Sequence, residues 1–363
     1  MSFAPLAGVR VVDVTASLAG PSCTQLLAAL GADVVKIEAP EGDHARAWGP
    51  PFIGGDGALF FAANAGKRSL AVDLAHDIDT VLALVDEADV FVQSLRPGLA
   101  DARGLGAEAL RARNPRLVYC TIGAYGATGP YADRPGYDPL MQAASGLMSV
   151  TGEPDGPPVR AGVSLIDFAT GQWAAIGILA ALLEREKTGA GRTIDTSLYE
   201  TALALLSAQL VAYAATGETP GRHGTAFAPI APYEVFPTSD GALMIVAGSD
   251  ALWERLRGVL ELPADERFET NPDRVRNRAD LAALISERLR TRTNAEWEAA
   301  LTGAGVPASP VRGVDEAFSH EQTQALGILQ RLGEGTTVSP PLTIDGERVR
   351  HRTPPPKLDD ASR

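Results

Sequence analysis

The sequence predicts an α/β fold: a large domain with an open, mostly parallel sheet, joined to a smaller α/β domain. Three observations carry this. Strand and helix patterns alternate from Val9 to Thr196, the texture turns to Gly, Pro, Thr and His after Gly217, and a hairpin pattern with amphipathic helices follows.

Taken in order, VRVVDV is a strand, Gly20-Pro21 opens a helix with Pro in its first turn, Gly31 ends it, and DVVKIE is the next strand. Two strands around one short helix imply a parallel pair. LAVDL (70–74) is a strand, 76–87 a helix and DVFVQS (89–94) a strand. After the turn Arg96-Pro97-Gly98 come a helix over 106–112 and a strand over 116–124. A Gly- and Pro-rich loop covers 125–138. A long helix then starts near Asp167, a strand lies at Thr193–Thr196, and a helix spans 198–215. In such sheets ligands bind at the carboxyl ends of strands, which singles out 16–20, 72–75, 94–98 and 122–138. Residues 1–198 are expected to form the Rossmann-like large domain, with 325–363 returning to it. Residues 199–227 form a linker helix and loop, and 228–324 the small domain. There, YEVFPTSDGALMIVAG reads as a hairpin turning at Thr238–Gly241, with helices near 250–260, 278–292 and 294–304.

Composition excludes several classes. The chain has 363 residues, 45% hydrophobic and 21% charged, with a net charge of −13 that argues against nucleic acid or an anionic membrane as partner. Two cysteines, Cys23 and Cys120, argue against a disulfide framework, and five scattered histidines against a metal site. The opening MSFAPLAGVR lacks a charged-then-apolar leader, and the apolar run Trp173–Leu183 is shorter than the ~20 residues that span a bilayer. A cytoplasmic protein is expected. The first strand is followed by TASLAGPS and not by G-x-G-x-x-G, so a nicotinamide dehydrogenase loses its main support.

The stretch Gly162–Thr188 concentrates the chemistry. Val163, Leu165 and Ile166 deliver one carboxylate, Asp167, to the mouth of a helix. That helix is apolar or glycine throughout Trp173–Leu183 and is expected to be buried nearly all round. Asp167 is either the helix N-cap or a nucleophile favoured by the helix dipole and by apolar walls.

Many ordered motifs carry a resemblance. LAGVRVVDVT, LGADVVKIEAPEGD, GKRSLAVDL, ADVFVQS, YGATGPYADRPGYD, GILAALLERE, TGAGRTIDTSLYE, PYEVFPTSDGAL and AGVPASPV together resemble the class III CoA-transferases, from Leu6 to about Gly327. That family includes formyl-CoA and carnitine CoA-transferases and the α-methylacyl-CoA racemases. The resemblance implies coenzyme A or acyl-CoA and a carboxylic acid as substrates, no tightly bound cofactor, and an interlocked homodimer. It makes Asp167 the nucleophile, forming a mixed anhydride and then an aspartyl-CoA thioester. Matching positions for CoA are Leu18, Ala19, Val72, Ser94, Leu95, Arg96, Arg103, Tyr137 and Asp138. Arg96 and Arg103 suit phosphate oxygens, being otherwise a turn and a solvated helix arginine. Lys67 and Arg68 are a further basic pair for which a surface role serves equally. The sequence departs from the family at Ala39, often basic in transferases, and at Ala102, whose arginine stands one place along at Arg103.

Tyr137 separates the family's chemistries. Related racemases carry His there, and a tyrosine with a pKa of about 10 is a poor base at neutral pH, so transfer is favoured. A racemase and a non-catalytic CoA-binding homologue are the alternatives. The acids transferred are not legible. Arg222 and His223 in GRHGTAF are candidates to meet an acceptor carboxylate, or are exposed linker residues.

Overall fold

The computed structural model describes residues 3–362. The chain divides into two compact units: Met1–Leu147, Arg160–Glu218 and Glu321–Arg363 make the first, Met148–Val159 and Thr219–His320 the second.

The first unit is built on six parallel strands: β1 Arg10–Val14, β2 Asp33–Glu38, β3 Arg68–Ala71, β4 Val90–Gln93, β5 Val118–Gly123 and β6 Thr193–Ser197. Their order across the sheet is β3-β2-β1-β4-β5-β6. Val11 of β1 pairs with Val34 on one side and Val90 on the other. The central strands are apolar on both faces, as a parallel sheet covered twice requires. Val11, Val90, Val92, Val118 and Cys120 face a core shared with α1 (Ala19–Ala29). Val12, Val14, Phe91 and Tyr119 face the opposite core, against α2 (Ile78–Asp86) and α3 (Ala107–Arg113). Both cysteines are free and buried.

Further helices are α4 (Asp138–Ala144), α5 (Leu165–Thr188), α6 (Leu198–Leu205) and α7 (Ser207–Thr216). These correct the sequence reading in three ways. Tyr137–Asp138, read as loop, opens α4. The helix read over 198–215 is two, bent by 66° at Leu206. And α5 is not buried nearly all round: Ile166, Ala174, Ile178 and Ala181 enter the core, while Trp173, Ile176 and Leu183 are 53%, 55% and 71% exposed. At 24 residues, α5 is also long and apolar enough to cross a membrane by length and composition alone.

The C-terminal segment packs in the first unit. Asp360 and Asp359 accept hydrogen bonds from the Ser69 and Ala71 backbone N–H groups (2.8 and 3.1 Å), capping the edge strand β3. The second unit holds an antiparallel sheet of β7 (Tyr233–Pro237), β8 (Ala242–Val246) and β9 (Ala308–Pro310), with β8 central. Phe236, Leu243, Ile245, Trp253, Ile285 and Trp297 form its core.

Candidate active site

The strand order reverses direction between β1 and β4, and the crevice beyond their carboxyl ends is where open α/β sheets receive ligands. The two loops there touch: Ala16 N–H donates to Ser94 Oγ (3.2 Å). In the first loop Ser17 holds φ at 68°, a left-handed conformation that a side chain adopts only under constraint. The constraint is charged and buried. Ser17 N–H donates to Asp43 Oδ1 (3.2 Å), Lys36 Nζ donates to the Thr15 carbonyl (2.7 Å), and Lys36 pairs with Asp43 at 2.9 Å.

A second buried pair, Lys67 with Asp13 at 3.1 Å, lies beneath. Lys67 is therefore not a surface residue; its ammonium also donates to Asn64 Oδ1 and the Pro21 carbonyl, while Arg68 is exposed and pairs with Asp33. Burial pulls Lys67 down to about 8 against the opposing pull of Asp13. Burial pushes Asp13 up, yet Lys67, Lys36 and the Thr15 and Thr24 hydroxyls outweigh it and hold its carboxyl at about 2. Sequence reading missed this network, because a lone Lys or Asp inside a strand pattern does not announce a partner.

Leu18 and Val72 are 1% and 3% exposed, so what they offer a ligand is backbone. Arg96 is exposed in the turn after β4, and Arg103 is half-buried. Hydrogen bonds from His76 and the Ala75 N–H hold the Asp73 carboxyl low, and the charge of Arg103 adds to them, which places Arg103 beside the 72–76 loop. The Leu95 N–H is taken by Gln93 Oε1 (2.7 Å). In the second unit Arg222 is spent on the Glu153 and Gly156 carbonyls, and His223 is exposed.

Asp167 is the third residue of α5, one turn before Gly171. A Cβ on Gly171 would lie 2.6 Å from the Ala19 carbonyl oxygen and 2.2 Å from Ser22 Oγ. Glycine there lets α1 lie against α5, bringing Asp167 next to the loop at the sheet's reversal. Asp167 is not the cap. The N-cap position belongs to Ser164, whose side chain makes no capping bond. Asp138, on α4, does the capping: its Oδ2 accepts from the Ile166 N–H (2.8 Å) and the Asp167 N–H (3.3 Å). Asp138 is 1% exposed and its Oδ1 accepts from Gln142 Nε2 (2.5 Å), so both its oxygens are engaged within the protein, whereas neighbouring Tyr137 is 55% exposed. Among the described residues the Asp167 carboxyl accepts no hydrogen bond, and burial followed by the nearby charge of Asp138 pushes it up to about 7.

The structure thus sets Asp138, with Tyr137 beside it, against the turn that carries Asp167, brings Ala19 against the same helix at Gly171, joins the Ser94 loop to Ala16, and puts Arg103 near Asp73. A partly buried carboxylate, held free of capping beside a ligand crevice, can attack a carbonyl carbon.

Known proteins match this chain along its whole length. The chain matches CoA-transferase family III over residues 6–362. It is 41% identical to the succinate–glutarate CoA-transferase of Agrobacterium fabrum, covering 98% of this chain and 93% of that one. It is 39% identical to the acetyl-CoA:oxalate CoA-transferase of Acetobacter aceti, over 98% and 93%. A crystal structure of a CaiB/BaiF family protein from Brucella suis superposes with a TM-score of 0.91 at 40% identity, over 99% and 97% of the two chains. Whole-length agreement in sequence and fold leaves one assignment: the chain belongs to the family III CoA-transferases.

Proposed function

We propose that this transferase moves CoA between short dicarboxylic acids through a covalent bond at Asp167. The names of its relatives support the acid class, since succinate, glutarate and oxalate are all short dicarboxylates. The observation that carries the covalent route is the uncapped carboxyl of Asp167, relieved of helix capping by Asp138.

In the first step an Asp167 oxygen attacks the thioester carbon of the donor, the C–S bond breaks, and CoA leaves as thiolate from a mixed anhydride. The thiolate then attacks the aspartyl carbonyl, expelling the donor acid and leaving an aspartyl-CoA thioester. The acceptor carboxylate attacks that carbonyl, giving a second anhydride and thiolate. Finally the thiolate takes the acceptor acyl group and Asp167 returns as carboxylate. Each step exchanges one activated acyl group for another, so no activation is lost if water is kept out. The loops after β1, β3 and β4 hold the CoA, with Arg96 and Arg103 at its phosphates. Tyr137 contacts the acyl group from the exposed side of the site, and cannot replace the histidine base of a racemase at neutral pH.

The test is to incubate the protein with succinyl-, glutaryl- and oxalyl-CoA, quench with hydroxylamine, and weigh the peptide holding Asp167. A hydroxamate on Asp167 is expected, together with at least about a thousandfold loss of transfer in Asp167→Asn. Transfer at the wild-type rate in that variant sinks the reading. Exchange of an α-proton with deuterated water, with no acceptor acid needed, would instead favour racemisation.

A further inference from the structure

Two buried polar residues of α4 reach the segment that carries Asp167, and one of them, Gln142, stands outside the chemistry described so far. Asp138 and Gln142 are one turn apart and 1% and 0% exposed. Gln142 bridges in two directions. Its Nε2 donates to Asp138 Oδ1 (2.5 Å), and its Oε1 accepts from the Ala161 N–H (2.8 Å), at the start of the segment that runs into α5. Asp138 completes the chain through its two bonds to the Ile166 and Asp167 N–H groups. The first turn of α5 and the chain four residues before its start are thereby tied to one short helix.

A neutral acceptor would have satisfied those two N–H groups, since asparagine and serine cap helices as well as aspartate does. A carboxylate at this point does something more: it puts a second negative charge, shielded from water, beside the carboxyl of Asp167. Other elements against α5 carry Cys23 (α1), Tyr119 and Cys120 (β5), Asp195 (β6), and Tyr199 and Glu200 (α6). The Glu200 carboxyl is occupied by the Ser197 hydroxyl (2.6 Å). Asp138 is the charged group that acts on Asp167.

We propose that Asp138 and Gln142 form a positioning pair for Asp167: they take over the capping that Asp167 would otherwise perform, and they hold the Asp138 carboxylate against the turn that carries it. This rests on Asp167 being the attacking group. A carboxylate made more basic by a like charge is a better nucleophile once ionised and is less often ionised at neutral pH. The pair thus trades occupancy of the reactive form for reactivity.

Two variants separate charge from architecture. Asp138→Asn keeps an oxygen for the Ile166 and Asp167 N–H groups but sets an amide nitrogen against Gln142 Nε2, donor to donor. Asp138→Asn combined with Gln142→Glu restores every bond: the new carboxylate accepts from the amide at 138 with one oxygen and from the Ala161 N–H with the other. In the double variant the charge sits one turn farther from Asp167. Thermal melting reads the fold, and two pH profiles read Asp167. One is kcat/KM for transfer from succinyl-CoA to glutarate. The other, independent of turnover, is carbodiimide labelling of the Asp167 peptide, which falls as the carboxyl ionises.

The double variant is expected to melt near the wild type. Both variants should move the labelling profile, and the acid limb of kcat/KM with it, down by roughly one pH unit, and lower the rate above that limb severalfold. A merely structural role would depress the rate equally at all pH and leave both profiles in place. Unmoved profiles in the folded double variant overturn the proposal, as does failure of that variant to fold. Absence of a hydroxamate in the wild type counts against Asp167 as nucleophile, while the labelling profile still decides whether Asp138 governs its ionisation.

Discussion

At the scale of single residues, Asp167 carries a cost that the rest of the molecule bears. Its carboxyl ionises at about 7 in the folded chain, against an ordinary value of 3.8. Between those values the folded protein holds a proton that the unfolded chain has released. Stability therefore falls as pH rises through that window, and the loss is complete above it. Asp167→Asn escapes the loss. It should be more stable than the wild type at pH 8, by on the order of 2 kcal/mol once solvent screening of a partly exposed carboxyl is allowed for. The gap should close by about pH 4. Urea titrations at the two pH values read it, and equal gaps at both would contradict a raised carboxyl. The sequence made this residue visible through the apolar approach Val163–Ile166 and the buried positions beyond. It did not reveal what frees the residue, because Asp138 lies 29 positions away and looked like a ligand contact. Capping from another helix leaves no local pattern to read.

At the scale of elements, the same division holds between what is local and what is not. Strands β1, β2, β4 and β5 announced themselves because each is apolar on both faces, and the hairpin of β7 and β8 because Thr238–Gly241 is turn chemistry. The bend at Leu206 was hidden, since neither Gly nor Pro marks it and packing decides the break. The contact that sets the site is one of these non-local matters: α1 and α5 meet where Gly171 has no side chain. Gly171→Ala would put a methyl group 2.6 Å from the Ala19 carbonyl, and backbone cannot rotate aside as Ser22 Oγ can. The helices must separate, at a cost of roughly 1–3 kcal/mol. Because Ala19 follows the loop at the sheet's reversal, the shift should also reduce transfer. A lowered urea midpoint with lowered kcat/KM is the expected pair of results; a wild-type midpoint would show that the two helices have slack.

At the scale of the whole molecule, α5 leaves uncovered a face that the sequence led us to expect inside. Trp173, Ile176, Ala180 and Leu183 recur three and four apart, so they form one stripe along α5. Leu210, Val211 and Tyr213 expose a second apolar face on α7. The error has a physical reason: composition tells that a helix will be covered, not whether its own chain covers it. Continuous apolar surface of this kind on one protein marks an interface. The resemblance to the class III CoA-transferases implies which partner fits it, a second copy interlocked with the first. We therefore expect light scattering to return twice the mass of one chain. Ile176→Glu with Leu183→Glu places two carboxylates on the stripe, where burial against another chain would leave them unpaired, so the dimer should be lost or the chain should fail to accumulate. Reading the wild type first keeps the test decisive. A wild-type monomer at micromolar concentration would mean that these side chains stay in water, and the expectation of an interlocked pair would have to be given up.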